Sequence, residues 1–240
     1  MGRHYEVRAA SMQKTANAKA KVYSRFGKEI YLAAKAGLPD PEMNVTLKRV
    51  IAQAKSNQVP ADVISRAIDK AKGGSTDNYD SARYEGFGPG QSTIIVDCLT
   101  DNVNRTIADV RTAFNRAKAK IGVNGSVSFM YDHVGLFVFD TQDSEKILES
   151  LLENEIDVID LEEDEHINLT VAPNQFHEAR DVLDTVLGEN VEYLVNEITL
   201  LPQSTCSLDN PEERELFVKL ITMLEDVDDV QNVYHNVENV

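Results

Sequence analysis

The chain has 240 residues, 42% of them hydrophobic and 27% charged, which is enough apolar material for one large or two to three small packed domains and contains no run suited to a membrane span. Two cysteines make no disulfide framework, and the start Met1-Gly2-Arg3-His4-Tyr5-Glu6 has no apolar signal core, so a reduced cytoplasmic compartment is expected. The net charge of −16 would exclude a uniformly basic nucleic-acid binder, but the charge is not uniform: residues 1–74 hold 14 Lys+Arg against 6 Asp+Glu, residues 75–133 hold 6 against 7, and residues 134–240 hold 4 against 27.

Residues 1–17 are polar and basic without a sustained period. From Ala18 a helical period begins, with Val22, Phe26, Ile30 and Ala33 on one face, and the run Gly37-Leu38-Pro39-Asp40-Pro41 ends it. Asp40 is the expected N-cap of a second helix, with Pro41 at its first position and an apolar stripe of Met43, Leu47, Val50 and Ala54. Pro60 opens a third helix and Gly73-Gly74 closes it, giving a three-helix bundle over residues 1–79. The Gly-Gly-Ser-Thr-Asp-Asn composition after residue 72 suits a linker.

Beyond Tyr79 the period changes. Residues 92–99 are β-branched and predict a buried strand; Ile107, Val110, Phe114 and Ala117 mark an amphipathic helix; residues 126–131 alternate like a strand. Residues 135–201 read β-α-β-β-α-β, with strands over 135–139, 156–161, 167–171 and 191–201 and helices over 144–152 and 174–187, the order of a ferredoxin-like unit. A further strand over 204–208, a helix over 211–224 and a strand over 229–235 complete the chain. The expected fold is therefore α+β: a helical bundle followed by two ferredoxin-like α/β domains, one (134–201) inserted into the other (80–133 with 202–240).

Lys14, Lys21, Lys28 and Lys35 recur every seven residues and Arg25 follows Lys21 by four, which aligns five cations near one face of the first helix; Lys19 adds a sixth to the same segment. A line of cations on a helix matches a phosphate backbone, and release of counterions drives binding. The alternative is a solvated helix face, disfavoured because only Glu29 interrupts the stripe and no neighbouring acids balance it. In Arg83-Tyr84-Glu85-Gly86-Phe87-Gly88-Pro89-Gly90, glycines at alternate positions suggest a tight turn with Arg83, Tyr84 and Phe87 at its edge, either structural or a surface on which a base or partner stacks. A nucleotide cradle would open a helix instead of running into a strand, so an enzyme with a cryptic nucleotide site is the weaker reading. Asn102 and its neighbours in Leu99-Thr100-Asp101-Asn102-Val103-Asn104-Arg105-Thr106 read as a helix cap, and Arg105 and Arg111 begin a second basic strip. The five histidines are scattered, neither cysteine has an evident base, and the acidic clusters lack calcium-loop spacing, so neither catalysis nor a metal or other cofactor is expected.

The blocks Arg83–Gly90 and Leu99–Thr106, together with Gly125-Ser126-Val127-Ser128-Phe129-Met130, resemble in order the signature blocks of the YebC/PmpR family. The Met1-Gly2-Arg3 start and the Val233-Tyr234-His235-Asn236-Val237 ending are most similar to its YeeN-like branch, although many relatives carry Ser-Lys-Trp where His4-Tyr5-Glu6-Val7 stands here. The resemblance implies a three-domain protein without catalytic residues that binds nucleic acid as a DNA-binding transcriptional regulator; a monomer is expected. It also implies an alternative, a ribosome-associated translation factor on ribosomal or transfer RNA that relieves stalling on proline runs, since mitochondrial translational activators are kin.

Overall fold

A computed structural model describes residues 17–73, 79–140, 143–188 and 191–240, with side chains from Lys21 onward. Among the described residues three helices come first: α1 (Asn17–Ala36), α2 (Val45–Ser56) and α3 (Ala61–Lys72). Their core gathers Phe26 and Ile30 of α1, Leu47 and Ile51 of α2, and Ile64 and Ala67 of α3. Each of the buried Phe, Ile and Leu side chains contributes about 1.5–3 kcal/mol. The start of α2 differs from expectation. Asp40 caps only a local turn, accepting from the Glu42 amide, whereas Asn44 caps α2 through the Leu47 amide. The Asn44 amide group also donates to Ala33 O and Leu38 O, so one side chain joins the end of α1 to the start of α2. Met43 consequently lies outside the core and is exposed.

Next come β1 (Asp80–Phe87), β2 (Thr93–Thr100), α4 (Val103–Arg116) and β3 (Lys120–Ile121). The chain then builds a second sheet from β4 (Tyr131–Phe139), α5 (Ser144–Glu153), β5 (Val158–Glu163), β6 (Ile167–Val171), α6 (Phe176–Leu187) and β7 (Tyr193–Pro202). It returns to the first sheet with α7 (Pro211–Glu225) and β8 (Val230–His235). The second sheet has the antiparallel order β5-β6-β4-β7, the ferredoxin-like order, with Phe137 stacked on Phe176 at 4.6 Å in its core. The first sheet has the matching order β3-β1-β2-β8. Here the third-strand position is filled by β1, which precedes the others, so after β3 the chain is free to leave and form the second sheet.

Three segments depart from the sequence reading. Arg83–Phe87, expected in a turn, is the second half of β1, paired with β2 and β3. Gly86 serves close packing: a Cβ there would lie 2.4 Å from the Phe114 ring and 2.6 Å from Lys120 O. Residues 126–131, expected to be a strand, form a loop and a short 3-10 turn (Ser128–Met130) before β4. The expected strand over 204–208 is reduced to a bridge between Cys206 and Val237. A small core of Ile95, Val127, Tyr131, Leu200 and Tyr234 joins the two sheets.

Candidate nucleic-acid interface

Of the predicted basic stripe, Lys21, Arg25, Lys28 and Lys35 fall on the described part of α1, and the first three do not point wholly into solvent. Lys28 Nζ donates to Asp229 Oδ1 at 3.1 Å, to Asp228 O at 3.0 Å and to Leu99 O at 3.2 Å. One turn earlier, Arg25 Nη1 reaches Asn232 Oδ1 at 3.3 Å. Lys21 is half-buried; burial pulls its ammonium below the ordinary lysine range, while Asp226, Glu225 and Asp228 partly restore it. The premise that no acids balance this stripe therefore fails in three dimensions, because the balancing carboxylates lie some 200 residues away. Lys35, at the other end of α1, stands over the Tyr31 ring at 5.5 Å, Lys70 over the same ring at 5.3 Å, and Lys28 over Tyr79 at 5.7 Å. Lys14 and the side chain of Lys19 lie outside the described residues.

Asp229 is the centre of the arrangement. Its side chain is only 5% exposed and accepts from Thr100 Oγ1 (3.0 Å), Arg105 Nη2 (2.7 Å) and Thr106 Oγ1 (2.9 Å) on Oδ2, and from Lys28 on Oδ1. Burial alone would raise its carboxyl, but the bonds from Arg105, Lys28, Thr106 and Thr100 outweigh it and hold the group at about 2. The Leu99–Thr106 block thus does more than cap α4. Asn102 does cap it, accepting from the Arg105 amide, while Thr100, Arg105 and Thr106 grip an aspartate from the far end of the chain. Arg105 is consequently engaged, pairing with Asp101 as well. Arg111 and Arg116, further along α4, are exposed and form no ion pair among the described residues.

The first signature block is equally structural. Arg83 forms a two-pronged pair with Asp97 of β2, at 2.6 and 2.8 Å. Tyr84 packs into the core beneath α4, its hydroxyl buried without a hydrogen bond among the described residues. Glu85, buried at 2% exposure, accepts from the amides of Gly125, Val127 and Ser128 at 2.9, 2.6 and 2.9 Å. Burial pushes its carboxyl up, and these backbone donors bring it below the usual range. Those same amides are unavailable to a β-ladder, which is why residues 126–130 are not a strand. The third block is therefore shaped by the first.

Sequence reasoning missed Glu85, Asp228 and Asp229. Asp229 lay in an acidic run that reads as solvated, and nothing local marks its burial; the clue was the surplus of donors at Thr100, Arg105 and Thr106. Elsewhere, burial pushes the Cys98 thiol up to about 12, the behaviour of a core residue. Among the described residues no His, Cys, Asp and Glu cluster can hold a metal ion, and no helix is long and apolar enough to cross a membrane.

Fold and site together define an α+β protein of two ferredoxin-like sheets with a basic helical unit clasped to the first. The chain belongs to the TACO1/YebC family: residues 79–237 match the TACO1/YebC second and third domain, and residues 3–74 match the TACO1/YebC protein N-terminal domain. A "Probable transcriptional regulatory protein" of Hydrogenovibrio crunogenus is 51% identical over 239 residues, covering 99% of this chain and 100% of the relative. A protein of the same name from Acholeplasma laidlawii is 52% identical over 238 residues, covering 99% and 98%. The crystal structure of a conserved hypothetical protein from Aquifex aeolicus superposes with a TM-score of 0.76 at 31% identity, covering 95% of this chain and 93% of that one.

Proposed function

We propose that this protein is a non-enzymatic, cytoplasmic transcriptional regulator that binds duplex DNA through exposed cations of its helical unit and of α4. The observation that carries the reading is the meeting of the exposed Lys35 and Lys70 over the ring of Tyr31, in a helical unit whose sequence is strongly basic. Like charges held together raise the local potential and favour a polyanion. Arg111 and Arg116 add exposed cations on α4, and the relatives' names support a regulatory role. The proposed units are 1–79, 80–133 with 202–240, and 134–201. In this division the first unit supplies phosphate affinity and the acidic third unit stays off the nucleic acid.

A salt titration of binding to duplex DNA and to structured RNA tests the reading. Each cation removed from a phosphate flattens the slope of log K against log salt by ~0.9 on duplex DNA. Lys35→Gln with Lys70→Gln is expected to flatten it by roughly two units, and Arg111→Gln with Arg116→Gln by up to the same amount. Wild-type slopes in both variants would remove these cations from the interface. A preference for structured RNA over DNA would replace the transcriptional reading with the ribosome-associated one.

A further inference from the structure

Phe129, Val123 and Phe87 are exposed by 67%, 77% and 42%, and they belong to the end of β1 and to the loop that Glu85 of β1 holds. Phe87 ends β1; Val123 and Phe129 lie on the loop that follows β3. A large aromatic side chain that is two-thirds exposed on a floppy loop carries little meaning, but this loop is not floppy. The buried Glu85 carboxylate ties down its amides at residues 125, 127 and 128, and Val127 is anchored in the core between the sheets. The fold thus spends a buried charge on fixing the backbone on either side of an exposed ring.

Register adds a cation. Phe87 pairs with Lys120 across β1 and β3, and directly opposed residues of an antiparallel pair project from the same face. That face also carries Glu85, two residues before Phe87. Lys120 is exposed and forms no ion pair among the described residues, unlike Lys118, which is paired with Glu212. The surroundings on the loop are Asn124, Gly125, Ser126 and Ser128, small and polar, so the apolar area is confined to isolated side chains instead of forming the broad patch that a protein partner buries.

We propose that the end of β1 and this loop form a stacking platform for unpaired nucleotides, with Phe129 and Phe87 taking bases and Lys120 a phosphate. Rings beside a cation are the general means of holding single strands, because every base has a π-face and every nucleotide a charge. The inference rests on the nucleic-acid binding proposed above and adds the ligand's class: a strand that is locally open.

The test uses the full chain and a fluorescent oligodeoxythymidylate, alone and as its duplex with oligodeoxyadenylate, with a uridylate counterpart to compare DNA with RNA. Phe129→Ala and Phe87→Ala are each expected to weaken single-strand binding roughly 5- to 150-fold, the range for loss of one base–aromatic stack, and to leave duplex binding within about twofold. Phe129→Tyr should retain affinity and Phe129→Leu should not, since leucine keeps the apolarity without the ring. Phe129→Ala binding the single strand like the wild type, equal losses on single strand and duplex, or Phe129→Leu retaining affinity would each overturn the platform. Failure of the wild type to bind any of the probes would instead overturn nucleic-acid binding itself.

Discussion

Removing the carboxylate of Asp229 would strand Thr100, Thr106, Arg105 and Lys28 together, donors drawn from two separate parts of the chain. Taking one partner out of a buried charged network costs about 3–5 kcal/mol, so Asp229→Ala is expected to lower the urea midpoint severely and Asp229→Asn less. The pH dependence follows from the depressed carboxyl. Its folded value, about 2, lies below the ordinary 3.8, so the stabilisation is complete above the ordinary value and is lost as pH falls through the interval between the two. Subtracting the Asp229→Asn stability curve from that of the wild type should show a difference that shrinks across that interval; a difference constant down to pH ~2 would deny Asp229 this role. Glu85 invites a companion measurement. Glu85→Gln keeps the size but leaves one acceptor oxygen where two serve Gly125, Val127 and Ser128. Faster amide exchange at those three positions is expected, with a loss of about 1–3 kcal/mol.

At the scale of elements, close packing at the edge of the first sheet governs what the glycine-rich block becomes. A methyl group at Gly86 would meet the Phe114 ring and the Lys120 carbonyl, the two surfaces that bring α4 and β3 against β1. Gly86→Ala is therefore expected to cost about 1–3 kcal/mol through overpacking. Gly88→Val would drive its Cβ to 2.4 Å from Ser92 Oγ and 3.0 Å from Ile94 Cδ1, damaging the turn into β2. Thermal melts of both variants check this, and a wild-type melting temperature for Gly86→Ala would show that α4 can shift at no cost. These details also mark where sequence stopped being legible. Helices α1, α3, α4 and α7 and the second sheet followed from apolar period alone, since local spacing decides which face is buried. The block at 83–90 and the loop before β4 were misread because glycine and alternation are ambiguous signals. What resolves them is a phenylalanine side chain almost thirty residues away and a glutamate some forty residues away. The candidate site divides the same way: the cations were visible as a stripe, whereas the carboxylates they meet were not.

The whole molecule separates its charge and then uses the separation internally. Lys21, Arg25 and Lys28 turn toward the segment Asp226–Asn232, so the acids of the first ferredoxin-like unit occupy the side of α1 that a phosphate backbone would otherwise take. If the helical unit binds nucleic acid as proposed, phosphates and these carboxylates compete for the same cations. Asp226 and Asp228 are exposed, and Asp228 meets Lys28 through its carbonyl, so replacing both by asparagine leaves the buried Asp229 network intact. Each exposed charge removed relieves a competing attraction worth about 0.2–1 kcal/mol. The double variant is therefore expected to bind duplex DNA several-fold more tightly than the wild type at low salt. The advantage should fade as added salt shortens the range of exposed charges to a few ångströms. Lys21→Gln with Arg25→Gln should act in the opposite direction on affinity, and should also loosen the hold of α1 on β8, read as faster amide exchange at Gln231 and Asn232. An affinity unchanged by Asp226→Asn with Asp228→Asn would mean that the docked face of α1 never reaches the ligand, and that the clasp serves only to fix the helical unit against the sheet.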